Sequence, residues 1–279
     1  MKTERTLSHV RAAIYSQPWA ICPEWMDTLC GIVEAHVEGR ETDWLAAQKM
    51  PMEPKKSKMR MAGKTAIIPI MGPIFPRADM MTEMSGATTA QGICDMACEA
   101  MDAQPDAALM HIDSPGGAVQ GITEAADAIW ELRQSGIFVG AVVDGMGASA
   151  AYWLASQADE ITVTAGSVVG SISVITRMGS NDRMMRNAGV DMLTLSSGAM
   201  KNAESAFVAR GGGSMGDMQH MMDRIKEYHA MFTEAISRGR PSLDVSTVDS
   251  GATWIGQRAV AMGLADGIGT LASVLRKLS

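Results

Sequence analysis

From Lys64 onward, short apolar runs alternate with longer stretches whose apolar residues recur every three or four positions. Residues 65–70 (TAIIPI) read as a strand closed by the Gly72-Pro73 break, and residues 88–103 as a helix. Ala107 to Ile112 reads as a short buried strand ending at Asp113. A helix follows from about Val119 to Gln134, with Val119, Ile122, Ala126, Ile129 and Leu132 on one face. Ile137 to Val143 is a strand, Ala148 to Gln157 a helix, and Glu160 to Thr164 and Met192 to Leu195 are further strands. Met218, Met221, Met222, Ile225, Tyr228 and Phe232 mark a long amphipathic helix. Strand and helix in turn, joined by tight glycine turns, predict an α/β domain with a largely parallel sheet. The chain shows no internal repeat, so one such unit is expected.

The pattern differs before Lys64. Residues 1–48 read as a small helical appendage, with Trp19, Trp25, Leu29, Ile32, Val33 and Trp44 available for packing. Residues 49–63 combine prolines and charge with weak periodicity and read as a linker, itself a candidate site of self-processing. The main domain is expected to span 64–279.

Composition narrows the functions open to such a domain. A hydrophobic content of 47% over 279 residues supports a substantial core. The formal net charge of -7 speaks against nucleic acid as the main partner. The one basic stretch, at residues 55–60, reads as solvated linker. Cys22, Cys30, Cys94 and Cys98 have neither a metal spacing nor the density of a disulfide framework, and the five histidines form no cluster. No metal and no cofactor are expected. The N-terminal residues lack the apolar stretch of a secretory signal, and no window approaches the ~20 apolar residues of a membrane span. A cytoplasmic protein without a membrane anchor is therefore expected. The 25 methionines against 4 phenylalanines read mostly as core filler, with Met80, Met81 and Met84 as a candidate substrate-facing set.

Three glycine-rich turns carry candidate chemistry, each after an expected strand. In Asp113-Ser114-Pro115-Gly116-Gly117, glycines let the backbone turn sharply and present N–H groups that can hold an oxyanion. The same residues also make an ordinary strand-to-helix turn. In Gly145-Met146-Gly147-Ala148-Ser149, a serine flanked by small residues stands where strand passes into helix. There it fits a nucleophile favoured by the helix N-terminus, and equally an N-cap. The third turn is Val168-Val169-Gly170-Ser171, followed further on by Ser197-Gly198-Ala199-Met200-Lys201. A serine nucleophile needs a base, and no histidine stands in a comparable turn. Lysine is the alternative, although at its ordinary pKa only about one in a few thousand is neutral at pH 7. Desolvation lowers that pKa, and Lys201 lies beside an Ala/Phe/Val stretch. Alone, Lys201 reads equally as a surface lysine.

The motifs in order, IDSPGG, GMGASAAYW, ADEITVTAGSVVGSISV, SSGAMKNAESAF and the closing WIGQRAVAMGLADGIG, resemble peptidase family S49, the signal peptide peptidase A-like enzymes. The likeness runs from about residue 64 to the C-terminus. It implies a crotonase-like (ClpP-like) fold of repeated ββα/βαβ units and a Ser-Lys dyad without histidine. By motif position Ser149 matches the nucleophile and Lys201 the general base. Ser171 matches the serine that orients the lysine amine, and Gly116 and Gly117 the oxyanion turn. The chain departs from the family pattern at Ala150-Ala151, where two glycines are common, and at Val169, where threonine is frequent.

The expected activity is hydrolysis of peptide bonds in protein or peptide substrates, with small or apolar residues beside the scissile bond. Family members often form rings, some with the dyad shared between protomers. A homo-oligomer is expected, and because Lys201 lies beyond the variable segment 177–190, both a dyad within one protomer and one completed across an interface stay open. Membrane-bound relatives degrade signal peptides. Soluble relatives with a helical N-terminal appendage resemble phage head-maturation proteases, and residues 1–48 favour that type, which acts within the procapsid. A crotonase-fold acyl-CoA hydratase or thioesterase and a non-catalytic assembly protein are the competing classes.

Overall fold

In the computed structural model the described residues are 14–15, 17–37, 58–77, 87–177 and 215–278, with isolated positions at 187, 189 and 197. The apolar runs form the strands of a mixed α/β architecture. Strand β1 (Trp19–Ile21) and helix α1 (Pro23–Val37) come first, then β2 (Arg60–Ala62), β3 (Thr65–Met71), β4 (Ile74–Phe75) and β5 (Thr88–Thr89). Helix α2 (Ala90–Ala103), β6 (Ala107–Ser114), β7 (Gly116–Ala118), α3 (Ile122–Gln134) and β8 (Phe138–Ala148) follow. The order closes with α4 (Ala150–Ala155), β9 (Glu160–Val163), β10 (Val168–Gly170), α5 (Met215–Gly239), β11 (Thr253–Ile255), α6 (Gly256–Ala261), β12 (Gly267–Ile268) and α7 (Leu271–Leu278).

The larger sheet has the order β11-β10-β8-β6-β3-β2, with β9 joining β8 and β12 joining β9. Its centre is parallel: β3 pairs with β6, β6 with β8, and β8 with both β9 and β10. Strand β8 serves two neighbours because it is long. Gly140 to Val143 pair with β9, whereas Met146 to Ala148 pair with β10. The β6–β8 register shifts between Ile112 and Ser114, so the C-terminal ends of these strands splay. That irregularity is where the glycine turns gather. A smaller sheet, β1-β7-β4-β5, lies beside them.

Helix α2 begins at Thr89, whose side chain accepts the Gly92 N–H, and it buries Ile93, Met96, Ala97 and Ala100. Helix α3 buries Ile122, Ala125, Ala126, Ile129 and Leu132, so the face read from periodicity is the packed one. Trp153 of α4 stacks on Phe232 of α5, with centroids 4.7 Å apart and planes 9° from parallel. Both rings are fully buried, and burying such a side chain stabilises by on the order of 2 kcal/mol. The Tyr152 hydroxyl donates to the Leu264 carbonyl at 3.0 Å. These contacts hold α4, only six residues long, between the sheet and the C-terminal segments.

Several boundaries differ from the sequence reading. Residues 116–118, read as a turn, form strand β7, because the Gly116-Gly117 backbone pairs with β1 and β4. Arg60–Ala62, within the stretch read as linker, forms an edge strand antiparallel to β3. Trp19–Ile21, within the stretch read as appendage, is a strand of the smaller sheet. The strand expected at Met192 to Leu195 and the methionines 80, 81 and 84 lie outside the described residues.

Candidate active site

Strand β8 delivers Ser149 at its C-terminal end, one residue before α4. Ser149 adopts φ 57° and ψ −120°, a conformation that costs a non-glycine residue on the order of 1–3 kcal/mol. It is one of three described non-glycine residues with positive φ. Position and backbone hydrogen bonds impose the strain. The Ser149 N–H donates to the Gly170 carbonyl at 2.7 Å, and its own carbonyl accepts the Trp153 N–H at 2.9 Å. Ser149 occupies the N-cap position of α4 but makes no side-chain cap hydrogen bond. Its hydroxyl lies 3.5 Å from the Ser173 carbonyl, at the outer limit of a hydrogen bond. The capping role that a serine at a strand-to-helix junction ordinarily plays is therefore not the one Ser149 performs. Ala148, Ala150 and Ala151 around it are buried, which leaves no room for larger side chains beside the hydroxyl.

Gly116 comes to the same place from β7. It has φ 97°, and a β-carbon there would stand 2.2 Å from the Ala20 carbonyl oxygen, 2.9 Å from that of Ala148 and 3.0 Å from the Ala150 nitrogen. Only glycine satisfies both the dihedral and the approach. Gly117 is equally constrained, since a β-carbon would stand 1.9 Å from the Ile74 carbonyl oxygen. The SPGG turn thus lies against the residues that flank Ser149. The Gly116 N–H donates to Ser114 Oγ at 3.2 Å in this arrangement.

One candidate donor was missed from the sequence. The Ala150 N–H opens α4, where the first amides of a helix have no intrahelical acceptor, and its nitrogen lies close to Gly116. The signal was available: the amide following a nucleophile at a strand-to-helix turn commonly completes an oxyanion hole.

Ser171 lies at the third turn with φ 53°, and its N–H donates to the Ala252 carbonyl at 2.7 Å. Burial pushes the Cys22 thiol pKa up, with a hydrogen bond to the Ser171 side chain opposing the rise. Two further contacts brace the turns. Asp113 Oδ1 accepts the Met146 N–H at 3.0 Å, and Ser167 Oγ donates to the Val143 carbonyl at 2.8 Å. Lys201 lies outside the described residues, so its position relative to Ser149 does not enter this geometry. Among the described residues no group of three or more His, Cys, Asp or Glu side chains could hold a metal ion.

The sequence profile of Peptidase family S49 matches residues 131–279, just over half the chain. The chain belongs to peptidase family S49. The matched span contains Ser149, Ser171 and Lys201; Gly116 and Gly117 precede it. Among its relatives is the probable protease SohB of Haemophilus influenzae, 32% identical over 165 residues, covering 59% of this chain and 46% of that protein. The head-tail preconnector protein GP5 of Enterobacteria phage P21 is 31% identical over 283 residues, covering 94% of this chain and 55% of its own. The capsid assembly protease C of Escherichia phage lambda is 25% identical over 281 residues, covering 94% and 63%. The chain therefore spans roughly half of the length of these relatives. No described helix is long and apolar enough to cross a membrane.

Proposed function

We propose that this S49 chain is a serine endopeptidase with Ser149 as nucleophile and Lys201 as general base, on a crotonase-like (ClpP-like) fold. The observation that carries the reading is Ser149 itself: buried, held at φ 57°, at a helix N-terminus that it does not cap. Strain of this kind persists where the surrounding structure enforces it, and a reactive hydroxyl is a reason to enforce it.

Neutral Lys201 takes the Ser149 proton as Oγ attacks a peptide carbonyl. The N–H groups of Ala150 and of the Gly116-Gly117 turn hold the resulting oxyanion, and Ser171 orients the lysine amine. The tetrahedral intermediate collapses, the C–N bond breaks, and the Lys201 ammonium protonates the leaving amine. Water, deprotonated by Lys201, then attacks the acyl-enzyme carbonyl; the ester C–O bond breaks, and the Lys201 ammonium returns the proton to Ser149 Oγ. No metal or cofactor takes part. The working unit is a ring-shaped homo-oligomer, in which Lys201 reaches Ser149 within one protomer or across an interface.

The biological substrate is a phage structural or scaffold protein, processed inside the host cell within an assembling head. The favouring observation is coverage: the two phage relatives match 94% of this chain, whereas the H. influenzae protease matches 59%. Hydrolysis of a capsid-derived substrate by the purified wild type, Ser149→Ala, Lys201→Ala and Lys201→Arg proteins tests the dyad. All three variants are expected to lose turnover by at least 10³-fold while melting normally. Arginine does not rescue, because guanidinium stays protonated at working pH. Hydrolysis retained by pure Ser149→Ala protein sinks the assignment.

A further inference from the structure

Residues 18–22 cross the face of the candidate site as an extended strand held on both sides. On one side β1 runs antiparallel to β7, with Trp19 opposite Ala118, Ala20 opposite Gly117 and Ile21 opposite Gly116. The ladder extends beyond the strand at both ends. The Val119 N–H donates to the Pro18 carbonyl at 3.3 Å and the Cys22 N–H to the Pro115 carbonyl at 3.0 Å. On the other side Trp19 and Ile175 exchange both backbone bonds, at 2.8 and 2.9 Å. The Ala20 carbonyl and the Ala150 amide thus both lie against Gly116. At Cys22 the chain turns away into α1, with Pro23 as its first residue.

This is how a peptide is bound by strand addition: main-chain bonds supply affinity, and pockets for alternate side chains supply selectivity. The pockets are present. Trp19 and Ile21 are buried in a small cluster with Met26, Ala118, Phe75 and Ile175, distinct from the main core. Trp19 meets Phe75 edge-on at 6.1 Å and donates its indole N–H to the Ile14 carbonyl at 3.1 Å. Ala20, between them, packs into the main core instead.

We infer that the groove between β7 and Ile175 is the docking site for an extended substrate segment, and that residues 18–22 fill it in the resting chain. The inference rests on the peptidase reading and adds both substrate class and regulation. The groove takes a strand with a large aromatic or aliphatic residue at the Trp19 position, a small one at Ala20 and an aliphatic one at Ile21. Incoming peptide must displace the chain's own segment. A site occupied in 99 of every 100 molecules binds about 100-fold more weakly than a vacant one.

The test is binding, measured on the full-length Ser149→Ala protein so that cleavage does not intervene. The probe is a synthetic, terminally blocked peptide reproducing residues 17–21. Adding Trp19→Ala is expected to tighten its binding at least tenfold. Hydrogen exchange on the Ser149→Ala protein itself supplies a readout that needs no core substitution. Saturating peptide should speed exchange of the Trp19 and Ala20 amides. Equal affinity with and without Trp19→Ala in folded protein, no binding to either, or unchanged exchange at saturation overturns the inference. Hydrolysis that does not depend on Ser149 instead overturns the catalytic reading, and leaves the binding result legible.

Discussion

Gly116 and Ala150 are packed so closely that a β-carbon on the glycine would stand 3.0 Å from the Ala150 nitrogen. One residue begins β7 and the other begins α4, so this contact sets the spacing between the two candidate sources of oxyanion-binding amides. No space is left for a side chain, because the Ala20 carbonyl oxygen would stand 2.2 Å from the same hypothetical atom.

Gly116→Ala should therefore move β7 away from Ser149 and strain a backbone that has φ 97°. Misplacing one oxyanion donor costs about 2.7–4 kcal/mol in the barrier, or 10²–10³ in kcat. The expected outcome is that loss of rate with KM little changed, together with a lower melting temperature. A variant with wild-type kcat would show that the Gly116 amide takes no part in the reaction.

Ser149→Gly separates strain from function. Glycine adopts positive φ without the penalty that Ser149 carries, and no cap hydrogen bond is lost. The variant is expected to be inactive and yet no less stable than wild type, with a gain of up to about 1 kcal/mol in urea unfolding. Ser149→Ala keeps the β-carbon and should show no such gain. A Ser149→Gly protein clearly less stable than Ser149→Ala argues that the backbone is unstrained.

Acid stability should depend on Asp266. Its carboxylate takes two hydrogen bonds from Arg240, at 2.6 and 2.8 Å, and the Ile161 N–H at 2.7 Å. Burial pushes its pKa up, but the Arg240 and Ile161 bonds outweigh burial and hold it below the usual carboxylate range. The stabilisation is thus complete above the unfolded pKa, about 3.9, and is lost as pH falls through the folded value. Asp266→Asn is expected to cost roughly 1–2 kcal/mol at neutral pH, since the carboxylate is partly solvated. Denaturant melts should show that gap constant from pH 6 to 8 and narrowing below pH 4. A gap independent of pH would remove the ion pair from the account.

Local signals decided much of what is seen here. The periodicity of residues 119–134 placed the buried face of α3 before any contact was known, because one helix face repeats every three to four residues. The short apolar runs at 65–70, 107–112 and 137–143 placed three adjacent strands of the larger sheet. Order and spacing of the glycine motifs singled out Ser149, Gly116 and Gly117, and the structure brings the first two motifs into contact. Whether Ser149 is a cap or a strained hydroxyl was not legible, since φ 57° is imposed by Gly170 and Trp153, twenty-one and four residues away. Nor could the SPGG turn be recognised as a strand, because its partners Trp19–Ile21 lie almost a hundred residues earlier. Composition and the order of motifs act along the chain and marked which residues are candidates for the chemistry. Pairing acts across it, and only the tertiary structure decided that Gly116 meets Ala150 and that residues 19–21 pair with residues 116–118.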